Sequence, residues 1–271
     1  MKIAFDFGIT NTDIAYDHDG EISYFSFPSE DVNFDFIKKL IKLLNLDINI
    51  ISVIAVTGGK SSDLADSYKE IPIIKINEII AIGYGAKELY NIADPNFIVV
   101  SCGTGTACVA CINNEFEHLG GISVGGGTLQ GLSNILTGIS DSKKIDELAL
   151  QGARGNLDAF IGDVVNDIGS LNADVTASNF SKARFNTNFK DVDVESSLSN
   201  MIGEIIGTVS YLNALLIGVR KIYFIGKVSL LESVKDGIDK RLELANIQGK
   251  YNDMRGFGNV IGAIAYLNAN T

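Results

Sequence analysis

Apolar and polar positions set the first elements of the chain. KIAFDFG, DIAYDH and ISYFSFP read as three short strands, joined by a Gly/Thr/Asn turn and by DHDGE. DFIKKLIKLLN carries apolar residues at helical spacing. ISVIAVTGG reads as a buried strand ending in glycines, DLADSYKE as a short helix, IPIIKIN as a strand and EIIAIGYGAKELYNI as a helix. The order βββαβαβα predicts a mixed sheet covered by helices, an α/β fold.

The pattern then restarts. NFIVVSCGTGTACVACINNEFEHLGGI reads as strand, Gly/Thr turn, strand, turn, strand. TLQGLSNILTG and SKKIDELALQG follow as helices, and VESSLSNMIGEIIGTVSYLNALLIGV as a long helix, apolar nearly all round and so buried on more than one side. KIYFIGK is a strand and NVIGAIAYLNA a closing helix. Two similar halves follow from this, 1–95 and 96–271, the second with a helical insertion; the boundary falls near Asp94–Asn96, beside one of only three prolines.

The net charge of −11 carries no basic stripe for a nucleic-acid backbone. It leaves room for an anionic small ligand, because backbone N–H groups bind phosphate without lysine. Apolar stretches fall short of a membrane span and the N-terminus lacks a signal-peptide pattern, so the expectation is a soluble, cytoplasmic protein. Cys102, Cys108 and Cys111 sit close together with only two histidines in the chain, and read as small residues on paired strands.

Two hairpins with the same tip chemistry suggest one ligand held between two lobes. Glycines let the backbone approach an anion, and threonine hydroxyls add hydrogen bonds to it. SVGGGTLQGL runs three glycines into a helix, whose positive end would face the cleft. No G-x-x-x-x-G-K-[ST] run is present, so the site is not a P-loop.

DFGITNTD, VTGG, INE, CGTGTA, LGGISVGGGTLQGL and ADVTASNF, in this order, resemble the type II pantothenate kinases, a family of the actin-like ATPase, acetate and sugar kinase superfamily. The resemblance implies two ribonuclease-H-like (actin-like ATPase) lobes, mixed sheets flanked by helices, with the active-site cleft between them. It also implies ATP and Mg²⁺ as cofactors, pantothenate or a similar small hydroxy acid as acceptor, and a homodimer.

Carried over by residue, the resemblance places Asp6, Gly8, Thr10 and Asn11 at the ATP phosphates, with Asp6 holding Mg²⁺. Gly103, Thr104, Gly105 and Thr106 would hold the phosphates from the other side. Gly125, Gly126, Gly127, Thr128 and Gln130 would line the nucleotide, and Gly226 would sit near the adenine. Glu78, closing IPIIKINE, would be the catalytic carboxylate, with Asp6 beside it. A carboxylate is what alcohol phosphorylation requires to orient the hydroxyl and accept its proton. A glutamate opening a helix is also favoured by the helix dipole, so the position reads two ways.

The chain departs from the family pattern on the acceptor side. Ile9 replaces a second glycine, Asp13 a lysine, and His118 an arginine; His118, Gly121 and Arg255 are the candidate substrate contacts, with Arg255 or Arg154 as a source of the missing charge. A different hydroxy acid, or a nucleotide-binding regulator without turnover, is therefore an alternative. A dehydratase-activating ATPase with an iron–sulfur cluster shares the fold. ADVTASNF also reads as a helix cap at Asp174 or Thr176.

Overall fold

The segment KIAFDF is buried from Ile3 onward, which makes it a central strand. The computed structural model describes residues 1–165, 172–185 and 188–270. Its first half forms β1 (Lys2–Phe7), β2 (Asn11–His18), β3 (Glu21–Pro28), α1 (Phe34–Leu43), β4 (Val53–Thr57), β5 (Ser67–Tyr68), β6 (Ile71–Lys75) and α2 (Glu78–Tyr90). The second half forms β7 (Phe97–Cys102), β8 (Thr106–Ile112), β9 (Glu115–Ile122), α3 (Gly126–Thr137), α4 (Ser142–Ala149), β10 (Ala159–Phe160), α5 (Ile161–Val164), β11 (Thr176–Ser178), α6 (Asp191–Leu216), β12 (Lys221–Ile225), α7 (Glu232–Leu244), β13 (Gln248–Tyr251) and α8 (Gly258–Asn270).

The two main sheets repeat one topology. The first runs β3-β2-β1-β4-β6-β5 and the second β13-β12-β7-β8-β9. In each, a central strand (β1 or β7) pairs antiparallel with its hairpin partner and parallel with a later strand. The strand pairing of the two halves is thus alike at their central hairpins.

The helices do not respect the 1–95 and 96–271 division. Helix α2 packs Ile82 and Ala86 against Phe97, Val99, Val109 and Cys111 of the second sheet. Helix α8 packs Val260, Ala263 and Ile264 against Ala4, Ala15 and Ala55 of the first. The closing helix therefore belongs by packing to the first lobe, a correction to the sequence division. Small residues set this geometry: an added Cβ at Gly262 would lie 1.8 Å from the Ala81 carbonyl oxygen, and one at Gly85 2.0 Å from that of Gly258. The outer faces are covered by α1, through Phe36, Ile37, Leu40 and Ile41, and by α6, through Leu198, Ile202 and Ile206.

Several local expectations are corrected. DLADSYKE is no helix; Ser61–Asp63 forms a 3-10 turn and Ser67–Tyr68 a strand antiparallel to β6. Its few apolar residues cannot offset the cost of nucleating an isolated short helix. ASNFSKA holds β11 and a 3-10 turn at Ser181–Arg184, so neither Asp174 nor Thr176 caps an α-helix. Helix α7 is absent from the sequence reading, although Val234, Ile238 and Leu242 recur every fourth residue and are buried.

Candidate active site

The even-numbered residues of β1 face α8 (Ala4 joins its core) while Ile3, Phe5 and Phe7 face α1. Asp6 therefore lies on the α8 face. Strand register places Ser26, Asp13, Asp6 and Thr57 in one polar row across β3, β2, β1 and β4. The row lies where the apolar α8 packing ends, and Asn259 at the start of α8 hydrogen-bonds the Asp6 carboxyl.

Beyond the row opens a cleft of about 1020 Å³ lined from both lobes. Asp6, Gly8, Thr10 and Asn11 line it from the first hairpin, and Gly103, Thr104, Gly105 and Thr106 from the second. The two tips meet through Thr10 Oγ1 and Thr104 Oγ1, 3.3 Å apart. Among the described residues, no protein acceptor takes the amides of Ile9, Thr10, Thr104 or Gly105.

The triple-glycine run also serves packing. The Gly126 and Gly127 amides donate to the Gly103 and Thr104 carbonyls at 2.9 and 3.0 Å, so the helix start is satisfied by the hairpin. A Cβ on Gly125 would lie 2.8 Å from those same two carbonyl oxygens. The glycines permit close packing of α3 on the hairpin. Gly126 and Gln130 line the cleft, whereas Gly125, Gly127 and Thr128 do not. The Gln130 amide donates to the Ser140 carbonyl and to Ser142 Oγ.

Glu78 is exposed and lines the cleft at the first residue of α2. It does not cap that helix: the Asn77 side chain accepts from the Ile79 amide at 2.8 Å. Gly226, His118 and Gly121 also line the cleft. Arg255 does not, and its assignment as a substrate contact is corrected. Its guanidinium is buried, donating to the Ser229 and Asn252 carbonyls and lying over the Tyr251 ring. Arg154 is spent likewise, donating to Thr176 Oγ1 and the Asp174 carbonyl.

Charge in the cleft is uneven. Among the described residues, Asp6, Asp13, Glu78 and Asp141 line it against one fixed cation, Lys227. Burial, then the Asp13 and Glu78 charges, push the Asp6 carboxyl up to about 8; the Asn259 hydrogen bond and Lys227 offset part of this. Lys227 donates to Asp13 Oδ1 at 2.6 Å and to Ser26 Oγ at 2.6 Å. The sequence reading passed over Lys227, although it follows Gly226 directly; nothing in the sequence pairs it with Asp13.

The residues fit a divalent cation of the hard, oxygen-binding kind. Asp6 offers a carboxylate whose charge is unfavourable without one, and Thr57 Oγ1, its neighbour in register, is buried without a partner. No three His, Cys, Asp or Glu among the described residues form a metal cage. Mg²⁺ held by one or two carboxylates and substrate phosphates needs none. Cys102, Cys108 and Cys111 are free and buried; burial pushes the Cys102 thiol up, and that of Cys108 to about 11.

The Fumble family profile matches residues 86–233. A type II pantothenate kinase of Bacillus thuringiensis subsp. konkukian is 33% identical over 238 residues, 83% of this chain and 82% of that protein. The chain belongs to the type II pantothenate kinase family. Pantothenate kinase 2 of Arabidopsis thaliana is 32% identical over 208 residues, 64% of this chain and 23% of the plant protein.

Solved structures extend the likeness beyond this kinase family. The activator of the 2-hydroxyisocaproyl-CoA dehydratase from Clostridium difficile, with bound ADPNP, superposes with a TM-score of 0.70 at 15% identity, over 98% of this chain and 93% of that one. A ROK family glucokinase from Streptomyces griseus, in complex with glucose and AMPPNP, gives 0.56 at 16%, over 98% of each. At such identity the fold alone is shared, and it is the two-lobed actin-like ATPase and sugar kinase fold expected from the sequence. Among the described residues no helix is long and apolar enough to cross a membrane.

Proposed function

We propose that the protein is an ATP- and Mg²⁺-dependent pantothenate kinase, forming 4'-phosphopantothenate for coenzyme A synthesis. The observation that carries this is the convergence of both hairpin tips, Asp6 and Glu78 on one inter-lobe cleft, in a chain of this family. In this reading the unpaired tip amides and the Thr10 and Thr104 hydroxyls hold the phosphate chain. Asp6 holds Mg²⁺, which when bound supplies positive charge at the phosphates. Glu78, exposed at the mouth of α2, orients the acceptor hydroxyl and takes its proton as the phosphoryl group transfers. Gly226 stands by the adenine, and His118 and Gly121 by the acceptor. The same reading takes the protein as a cytoplasmic homodimer acting on a small molecule, which rests on family membership.

Incubation with ATP, Mg²⁺ and pantothenate tests it. ADP should form in proportion to pantothenate added. ADP formation that ignores pantothenate but follows another hydroxy acid would overturn the acceptor, and no ADP with any would overturn the kinase.

A further inference from the structure

Four carboxylates line the cleft, yet the proposed ligand is a triphosphate. One divalent cation does not balance that charge, and among the described residues Lys227 is the remaining fixed positive group in the lining. The side chain leaves the second lobe just after β12 and crosses to the first. Its two acceptors, Asp13 and Ser26, are register partners on β2 and β3, so the ammonium bridges adjacent strands of the first sheet. An ammonium has three hydrogens. Two are used here, and the third has no protein acceptor among the described residues. Both side chains line the cleft, and that of Lys227 keeps 35% of its exposure while that of Asp13 keeps 11%, so the lysine is the more open of the two.

We propose that Lys227 is the phosphate-binding cation of this cleft, kept in place by Asp13 and Ser26 until the phosphate chain of the nucleotide takes its contact. This rests on the nucleotide-kinase reading above and adds one residue to it. Asp13, on this view, is the counterion that orients Lys227 in the empty protein and competes with phosphate for it. Because Lys227 and Asp13 belong to different lobes, the exchange also couples nucleotide binding to the contact between them.

The two partners then have opposite effects on nucleotide affinity. Calorimetric titration with AMPPNP and magnesium reads this without turnover. Lys227→Gln should weaken binding about 10- to 100-fold, the loss expected for a charge-assisted contact. Asp13→Asn should bind the analogue as tightly as the parent or more tightly, while its ligand-free form melts at a lower temperature. The charge swap Asp13→Lys with Lys227→Asp keeps the ion pair and returns a cation to the cleft, and should bind within a few-fold of the parent even if Lys227→Gln folds poorly. Unchanged affinity in Lys227→Gln overturns the proposal, as does equal weakening in Lys227→Gln and Asp13→Asn, which would make the lysine only a tie between lobes. Loss of nucleotide binding in the parent protein itself would instead remove the kinase reading.

Discussion

Thr10 Oγ1 and Thr104 Oγ1 stand 3.3 Å apart, one at the tip of each hairpin, and both line the inter-lobe cleft. The pair is exposed and makes one weak neutral hydrogen bond, so it contributes little to stability. Its placement beside amides without protein partners fits a phosphate chain passing between the tips. Thr104→Ala should leave the melting temperature within about a degree, since its cost stays under about 0.5 kcal/mol. KM for ATP should rise about 10- to 100-fold, the loss of one hydrogen bond to a charged group. Steady-state kinetics beside a thermal melt checks both.

Glu78→Gln keeps the size and the helix start, because Asn77 supplies the cap. It removes the proton acceptor. Turnover should fall about 100- to 10,000-fold with AMPPNP affinity changed no more than a few-fold. Single-turnover kinetics with pantothenate measures the first, and titration the second. Turnover within a factor of two of the parent would assign the proton elsewhere.

The two hairpins that border the cleft are legible in the sequence, because turns announce themselves by composition. DFGITNTD and CGTGTA hold Gly, Thr and Asn between apolar runs, and the β1–β2 and β7–β8 hairpins lie there. Glu78 is singled out by the family resemblance at IPIIKINE, and it stands where β6 gives way to α2. Long-range packing left no such trace. That α8 returns to the first sheet depends on Gly85 meeting Gly258 and on Gly262 meeting Ala81, contacts between residues far apart in sequence. The same holds for Lys227, 214 positions from Asp13, and for the Arg255 guanidinium, which carbonyls of its own neighbourhood consume.

Arg255 therefore acts on stability. Its removal would strand the buried Ser229 carbonyl, which accepts from both Nε and Nη2 at 3.2 and 2.9 Å. Arg255→Ala should cost about 2 to 3 kcal/mol, a fall of several degrees in melting temperature. KM for pantothenate in the folded fraction should stay within about two-fold. A large rise in that KM with an unchanged melt would restore Arg255 as a substrate contact.

The helix exchange makes a sharper demand. Gly262→Ala places a methyl at 1.8 Å from the Ala81 carbonyl oxygen, and backbone cannot yield as a side-chain tip can. The crossing of α2 and α8 must open, at a cost of about 3 kcal/mol or more. As α2 also carries Glu78 and α8 carries Asn259, the loss should reach activity at temperatures where the protein is still folded. Circular dichroism melts and ADP release at two temperatures separate the effects.

The last expectation concerns Asp6. Burial and the neighbouring carboxylates raise its carboxyl to about 8 in the folded protein, against 3.8 as the ordinary value. A carboxyl raised on folding supports the fold fully below the ordinary value, and that support is lost as pH climbs through about 8. The ligand-free, metal-free protein should therefore melt at progressively lower temperature between pH 5 and pH 9. Asp6→Asn is neutral throughout this range and should flatten that decline. A divalent cation favours the carboxylate, so magnesium should raise the parent's melting temperature more where protons compete less, at pH 6, than at pH 5, and should still do so at pH 8.5. Asp6→Asn should show no magnesium response at any of these values. If the parent and Asp6→Asn decline in parallel with pH, the Asp6 carboxyl is already ionised in the ligand-free protein, and burial does not hold its proton up to about 8.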